Sequence, residues 1–281
     1  METHNSKKGL AMNKINPSTL GILLFLLPQY SLAEPLKTFS FSQPNWQNAW
    51  QLDWNSRLNT TKVITSTKGA SVLQVNYPEG GVGPSQSGVQ FPIRFSSFSD
   101  LAPAYHSLKL DYCLTFSKDF DFVKGGKLPG LMGAGDSWTR SGGNQPDGSD
   151  GWTMRYMWRE KGEAVIYAYL PPSPNGRYGG TTWGQDISLN KQFIAGQQHC
   201  LTQEITINDV GQENGQLKVW FDGELVIERK DVSYRLVDTP EGYIGAVMFS
   251  SFHGGNNPSW APRHLSSIEF SDLTISTTQQ L

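Results

Sequence analysis

Two short segments place carboxylate-binding and proton-moving groups at every second residue: Thr153 and Arg155 in WTMRYMWR, and Tyr167 and Tyr169 in EAVIYAYL. A guanidinium is a fixed bidentate partner for a carboxylate, and a phenol can donate or relay a proton. In a strand, a spacing of two puts each pair on one face. A third group, Lys127, stands in GGKLPG, where the glycines let the backbone approach a neighbour closely and hold the amine over a cleft. Tyrosine and lysine ordinarily titrate near pH 10, so either acts as a base only in a cationic or desolvated setting.

The two strand segments can be registered from sequence alone. Glu160-Lys161-Gly162 is a three-residue closure in which Gly takes the left-handed position. Arg159 then faces Glu163, Arg155 faces Tyr167 and Thr153 faces Tyr169. One side of the hairpin is Trp152, Met154, Tyr156, Trp158, Ala164, Ile166, Ala168 and Leu170, which belongs against a core. The other carries Thr153, Arg155, Met157, Arg159, Glu163, Val165, Tyr167 and Tyr169. Taken alone, that second side also suits a solvated sheet with cross-strand Arg–Tyr packing. Gln90, Arg94, Trp183, Gln185, His253 and Asn256 are further candidates for sugar contact, each equally at home in packing or at a rim. His253, flanked by glycines in FHGGNNPSW, could titrate near neutrality.

The elements that must position these groups are strands. Alternating segments recur at Ser71–Tyr77, Gly88–Phe95, Leu108–Phe116, Trp152–Arg159, Glu163–Leu170, Glu204–Asn208, Leu217–Phe221, Glu224–Arg229, Tyr243–Phe249 and Ser267–Ile275, with no helical stripe of useful length. Asp222-Gly223 is the strongest two-residue turn signal, because a type I′ turn needs positive φ at both positions. The expected fold is all-β: a single-domain antiparallel β-sandwich of jelly-roll type over residues 34–281, with a cleft on one sheet. Gly125–Gly151, with nine Gly and two Pro, and Pro171–Trp183 are expected to be loops walling that cleft.

Composition narrows the function classes. The chain has 281 residues, 17% of them charged, with 29 Gly, 16 Pro and 12% aromatics. Long charged helices and disorder are thereby disfavoured. A formal net charge of −2 lacks the basic excess of a nucleic-acid binder, so no nucleic-acid partner is expected. Lys7, Lys8 and Lys14, the apolar run Leu20–Leu27 and the ending Ser31-Leu32-Ala33 have the layout of a signal peptide, residues 1–33. The run is too short to span a bilayer, so no stable membrane span is expected once the leader is removed. Cleavage takes away three Lys and one Glu, leaving a net charge of −4 and a chain that is secreted or periplasmic. In such an oxidising compartment Cys113 and Cys200, each in an alternating segment, are a plausible disulfide, with two buried free thiols as the alternative. The five His lack metal-ligand spacing, so neither a metal nor another cofactor is expected.

The succession GGKLPG, WTMRYMWR, EAVIYAY, NGQLKVWFDGE and FSSFHGGNNPSW resembles polysaccharide lyase family 14, the alginate and glucuronan lyases, from about Leu108 to Ile275. The resemblance implies a β-jelly roll with a cleft on its concave sheet and β-elimination on an acidic polysaccharide. It implies Lys127, Arg155, Tyr167 and Tyr169 as catalytic residues. Thr153 stands where the family more often has Ser, and it joins Gln90, Arg94, Trp183 and His253 as a candidate substrate-binding residue. A monomer is expected. The alternative is a non-catalytic polysaccharide-binding protein using the same Arg–Tyr surface. A glycoside hydrolase would need two carboxylates across the scissile bond. Only Glu163, at the hairpin end, offers one on the registered face.

Overall fold

The computed structural model describes residues 1–2, 35–52 and 54–278, so the expected leader lies, its first two residues apart, outside the described residues. Strands follow as β1 (Pro35–Phe39), β2 (Lys62–Thr65), β3 (Ser71–Tyr77), β4 (Val89–Arg94), β5 (Ser107–Phe116), β6 (Gly125–Gly133), β7 (Thr153–Arg159), β8 (Glu163–Tyr169), β9 (Gln185–Gln192), β10 (Gln198–Thr206), β11 (Gly215–Phe221), β12 (Glu224–Val232), β13 (Ile244–Ser251), β14 (Ser266–Phe270) and β15 (Leu273–Ser276). They form two antiparallel sheets. One runs β12-β11-β10-β5-β14-β3-β2, with β15 also on β5 and β1 on β15; the other runs β4-β13-β6-β7-β8-β9. This is a β-sandwich of jelly-roll type.

Period-two burial builds the core between the sheets. In β5, Leu108, Leu110, Tyr112, Leu114 and Phe116 are buried while the residues between them are half-buried. The hairpin forms as registered: Thr153 pairs with Tyr169 and Arg155 with Tyr167. Its closure holds Lys161 as well as Gly162 at positive φ. Trp152, Met154, Tyr156, Trp158, Ala164, Ile166, Ala168 and Leu170 all enter the core. Asp222 and Gly223 both take positive φ, as their turn requires. The expected strand Ser267–Ile275 is two strands, β14 and β15, which share β5 as partner.

Gly125–Gly151 differs from the expected loop, because its first nine residues are β6. The glycines here serve close packing within a sheet. A Cβ on Gly126 would stand 2.1 Å from the Trp158 ring, and one on Gly130 would stand 2.1 Å from the Met154 carbonyl oxygen. Lys127 pairs with Met157 and Gly130 with Arg155, so Leu128 and Pro129 together oppose Tyr156 in a β-bulge. A bulge is where a central strand tolerates a proline, which has no N–H to give the ladder. The opposite sheet satisfies the backbone around it. The Tyr112 hydroxyl donates to the Pro129 carbonyl at 2.9 Å. Gln203, fully buried on β10, accepts from the Leu131 N–H at 2.9 Å and donates to the Met154 carbonyl at 3.0 Å.

Cys113 and Cys200 are bonded, and they face each other in the β5–β10 register. The link closes a loop of 87 residues in sequence separation, and the entropy it removes from the unfolded state corresponds to about 4.5 kcal/mol in the chain-entropy picture. Reduction, or the double substitution Cys113→Ser/Cys200→Ser, is expected to lower the unfolding free energy by about 2–4 kcal/mol, measured as a shift of the denaturant midpoint.

Candidate active site

The outer face of the β4–β9 sheet is recessed into a cleft of about 900 Å³. Its floor is the second face of the hairpin, Arg155, Met157, Arg159, Tyr167 and Tyr169, with Lys127 from β6 and Asp186 from β9. Trp183 and Gly184 wall one side, and Gly254, Asn256 and Trp260 another. Burial here is unlike that of a solvated sheet: Arg155 is only 2% exposed and Tyr169 only 2%.

Arg155 dominates the electrostatics of the floor. Its Nη1 donates to Ser250 Oγ at 3.3 Å, and Ser250 Oγ donates to Gln90 Oε1 at 3.1 Å. Nε and Nη2 are buried and have no protein partner among the described residues. Burial lowers its pKa to about 10, which still leaves it cationic at neutral pH. A buried cation with two donor nitrogens unanswered is costly unless an anion completes the set. An incoming carboxylate supplies those acceptors.

Lys127 Nζ lies 2.8 Å from Met157 Sδ and 3.3 Å from the Tyr167 ring centroid. Burial, then the positive charges of Arg155 and Arg159, hold the amine well below its ordinary lysine range, while Asp186 acts in the opposite sense. Burial pushes the Tyr167 phenol up, and Tyr169 beside it adds to that. Their rings meet edge to face at 5.4 Å. The Tyr169 hydroxyl accepts from the Gly143 N–H at 3.1 Å, which leaves its own proton to give.

The other candidate residues divide. Gln90, Trp183 and Asn256 line the cleft, Trp183 at 55% exposure. Gln185 accepts from the Gly179 N–H at 2.8 Å, a contact within the cleft wall. Thr153 is fully buried, and its hydroxyl donates to the Arg140 carbonyl at 3.0 Å. Arg94 is tied to the same covering segment, through the Gly135 carbonyl and the Asp136 carboxylate at 3.1 Å. Trp54 and Trp138 pack over Met132, Ala246 and Met248 nearby. The chain after β6 therefore covers this corner of the face, so Thr153 and Arg94 anchor a wall and do not line the cleft. His253 lies in the core against Phe120, Tyr77 and Trp158, with Nε2 2.8 Å from the Asp121 carbonyl. Burial lowers its pKa to about 4, so it is neutral at pH 7 and does not titrate there.

Asp186 is the charged residue of the cleft that sequence reading missed, along with Ser250 and Trp260. QDISLNKQ was not recognisable as a strand, because only Ile187 and Leu189 of β9 are buried apolar residues. Met157 and Arg159 were already on the registered face. Among the described residues, no cluster of three or more His, Cys, Asp or Glu is placed to hold a metal ion.

Residues 65–273 match the model of the family described as Polysaccharide lyase 14. No curated protein matches. Among solved structures, the marine PL-14 alginate lyase from Aplysia kurodai superposes with a TM-score of 0.75 at 23% identity, covering 88% of this chain and 100% of that one. The alginate lyase vAL-1 from Chlorella virus gives 0.66 at 20% identity, covering 87% and 100%. The endo-β-1,4-glucuronan lyase from the fungus Trichoderma reesei gives 0.52 at 14% identity, covering 81% and 91%. Variants of alginate lyase Aly36B, which share this fold, are solved with an alginate trisaccharide and a tetrasaccharide.

Thr153→Val removes the hydroxyl that tethers the covering segment, whereas Thr153→Ser keeps it. The valine variant is expected to lose about 1 kcal/mol of stability and to be cut faster by protease within residues 134–151; the serine variant should match the parent in both measurements.

Proposed function

Because the chain belongs to polysaccharide lyase family 14, we propose that its cleft cleaves a 4-linked polyuronate of the alginate or glucuronan class by β-elimination, leaving an unsaturated uronate end. The C5 proton of a uronate is weakly acidic, since the adjacent carboxylate resists taking up a second negative charge. A cation on that carboxylate lowers the barrier most. Arg155 fills this role: its unanswered Nε and Nη2 meet the carboxylate oxygens, and the charge that develops on them falls against a guanidinium already desolvated. Lys127, held below its ordinary range, is the base that takes the C5 proton. The C5–H electrons form the C4–C5 double bond and the C4–O4 bond breaks. O4 leaves with a proton from the Tyr167–Tyr169 pair, in which burial keeps Tyr167 protonated.

The observation that carries this reading is the buried, incompletely partnered Arg155 beside a lysine pushed toward neutrality. A protein that only binds a polyanion gains from a fully charged lysine and loses by burying it. A hydrolase needs two free carboxylates. Asp186 is the one acidic residue lining the cleft among those described, and Arg159 engages both of its oxygens. Trp183 and Asn256 supply an aromatic face and an amide for neighbouring sugars. The leader-like sequence of residues 1–33 and the disulfide support export to a secreted or periplasmic location. Among the described residues no helix is long and apolar enough to cross a membrane.

Incubation with polymannuronate, polyguluronate, alginate and glucuronan should produce rising ultraviolet absorbance from unsaturated ends with at least one polymer. Binding without any rise would establish the binding-only alternative instead. Lys127→Ala and Tyr167→Phe are each expected to reduce kcat by about 100-fold or more with unchanged thermal unfolding. Wild-type kcat/KM should rise with pH as Lys127 loses its proton, through an inflection well below the ordinary lysine value of 10.5. That inflection should be absent from the residual activity of Lys127→Ala.

A further inference from the structure

One ion pair in the cleft is not needed by the chemistry above. Arg159 grips Asp186 with two parallel hydrogen bonds, Nε to Oδ2 at 2.7 Å and Nη2 to Oδ1 at 2.6 Å. Fork-on-fork geometry of this kind fixes the plane of a guanidinium as well as its distance. The Arg159 Cζ lies 5.1 Å from the Tyr167 ring centroid, the ring that Lys127 Nζ also approaches. The β8–β9 register sets Asp186 directly opposite Tyr167. Strands β7, β8 and β9 thus each bring one member to the group Arg159, Tyr167 and Asp186. An anion lining a cleft for a polyanion repels the substrate, so its presence calls for a compensating service.

We propose that Asp186 is a positioning residue of the lyase site, holding the Arg159 guanidinium against Tyr167 so that a fixed cation stands beside the lysine–tyrosine pair. This rests on the lyase reading of the cleft. Without Asp186, Arg159 is free to swing toward the incoming polymer, and Tyr167 loses the contact that sets its ring. The charge balance changes as well. The charged and titratable groups facing Lys127 are Arg155 and Arg159 from β7, Tyr167 and Tyr169 from β8, and Asp186 from β9. Beyond β13, Phe252 offers only its carbonyl to the Lys127 N–H, and the neutral His253 ring is in the core. Asp186 favours the protonated lysine and Arg159 disfavours it, so removing one or the other acts in opposite directions.

The test is the pH profile of kcat/KM on the polymer that the wild type cleaves, with Asp186→Asn, Arg159→Gln, the double variant and Arg159→Lys. Asp186→Asn is expected to move the ascending inflection down by about half a pH unit and Arg159→Gln to move it up by a similar amount. The double variant should return near the wild-type inflection while kcat stays about tenfold low. Arg159→Lys keeps the charge and loses the fork, so it should keep the inflection and lose kcat, with KM little changed. Inflections that do not move, or that move in the same direction in both single variants, overturn the proposal, as does wild-type kcat in Arg159→Lys. A wild type that yields no unsaturated product on any polymer removes the lyase reading first, and this inference with it.

Discussion

A guanidinium without enough protein acceptors, set in the floor of a cleft, is the constraint around which the molecule is arranged. Arg155 is almost wholly buried and, among the described residues, makes a single hydrogen bond to protein, to Ser250. Such a group would ordinarily be driven to the surface or paired with a carboxylate. Its surroundings prevent both. The walls of the cleft keep it from open solvent, and the nearby carboxylate, Asp186, is already occupied by Arg159. Burial, and then the field of the Arg155 guanidinium, lower the proton affinity of Lys127, so the two cations of the recess are tuned together. The negative bulk charge of the chain is no guide to its ligand, because the cations that matter are gathered in one recess.

The placement of Lys127 relative to Arg155 is set by the irregularity in β6. The bulge at Leu128–Pro129 shifts the register between the pairs Lys127–Met157 and Gly130–Arg155. It leaves backbone groups that the neighbouring strand cannot fully answer. Tyr112 and Gln203 answer them from the far sheet. The two layers of the sandwich therefore share more than apolar contact: neutral hydrogen bonds from one layer fix the backbone on which the chemistry of the other is mounted.

Much of this was legible in the sequence wherever local rules act alone. The β7–β8 hairpin could be registered residue by residue, since a short closure and a strict apolar alternation leave a single solution. The family motifs then named the same side chains. What sequence could not show came from long-range packing. Glycine-rich β6 looked like a loop because its glycines are selected by the approach of Trp158 and the β7 backbone, which no local pattern records. Arg94 and Thr153 have the right chemistry on the right strands, yet the covering segment takes their polar atoms. His253 has glycine neighbours that suggest exposure, but an aromatic cage surrounds it. β9 was missed because its sparse alternation is that of an edge strand with one face toward solvent.

The position of the disulfide gives it a meaning beyond loop closure. Cys113 follows Tyr112 on β5, and Cys200 lies three residues before Gln203 on β10. The covalent bond thus clamps, from the outer surface, the two strands whose inner surfaces hold the bulge. A chain folded under reducing conditions would keep every side chain of the cleft and lose the brace behind them. The redox state of this one pair would then set how stiffly the floor of the cleft is held, although neither sulfur lines the cleft.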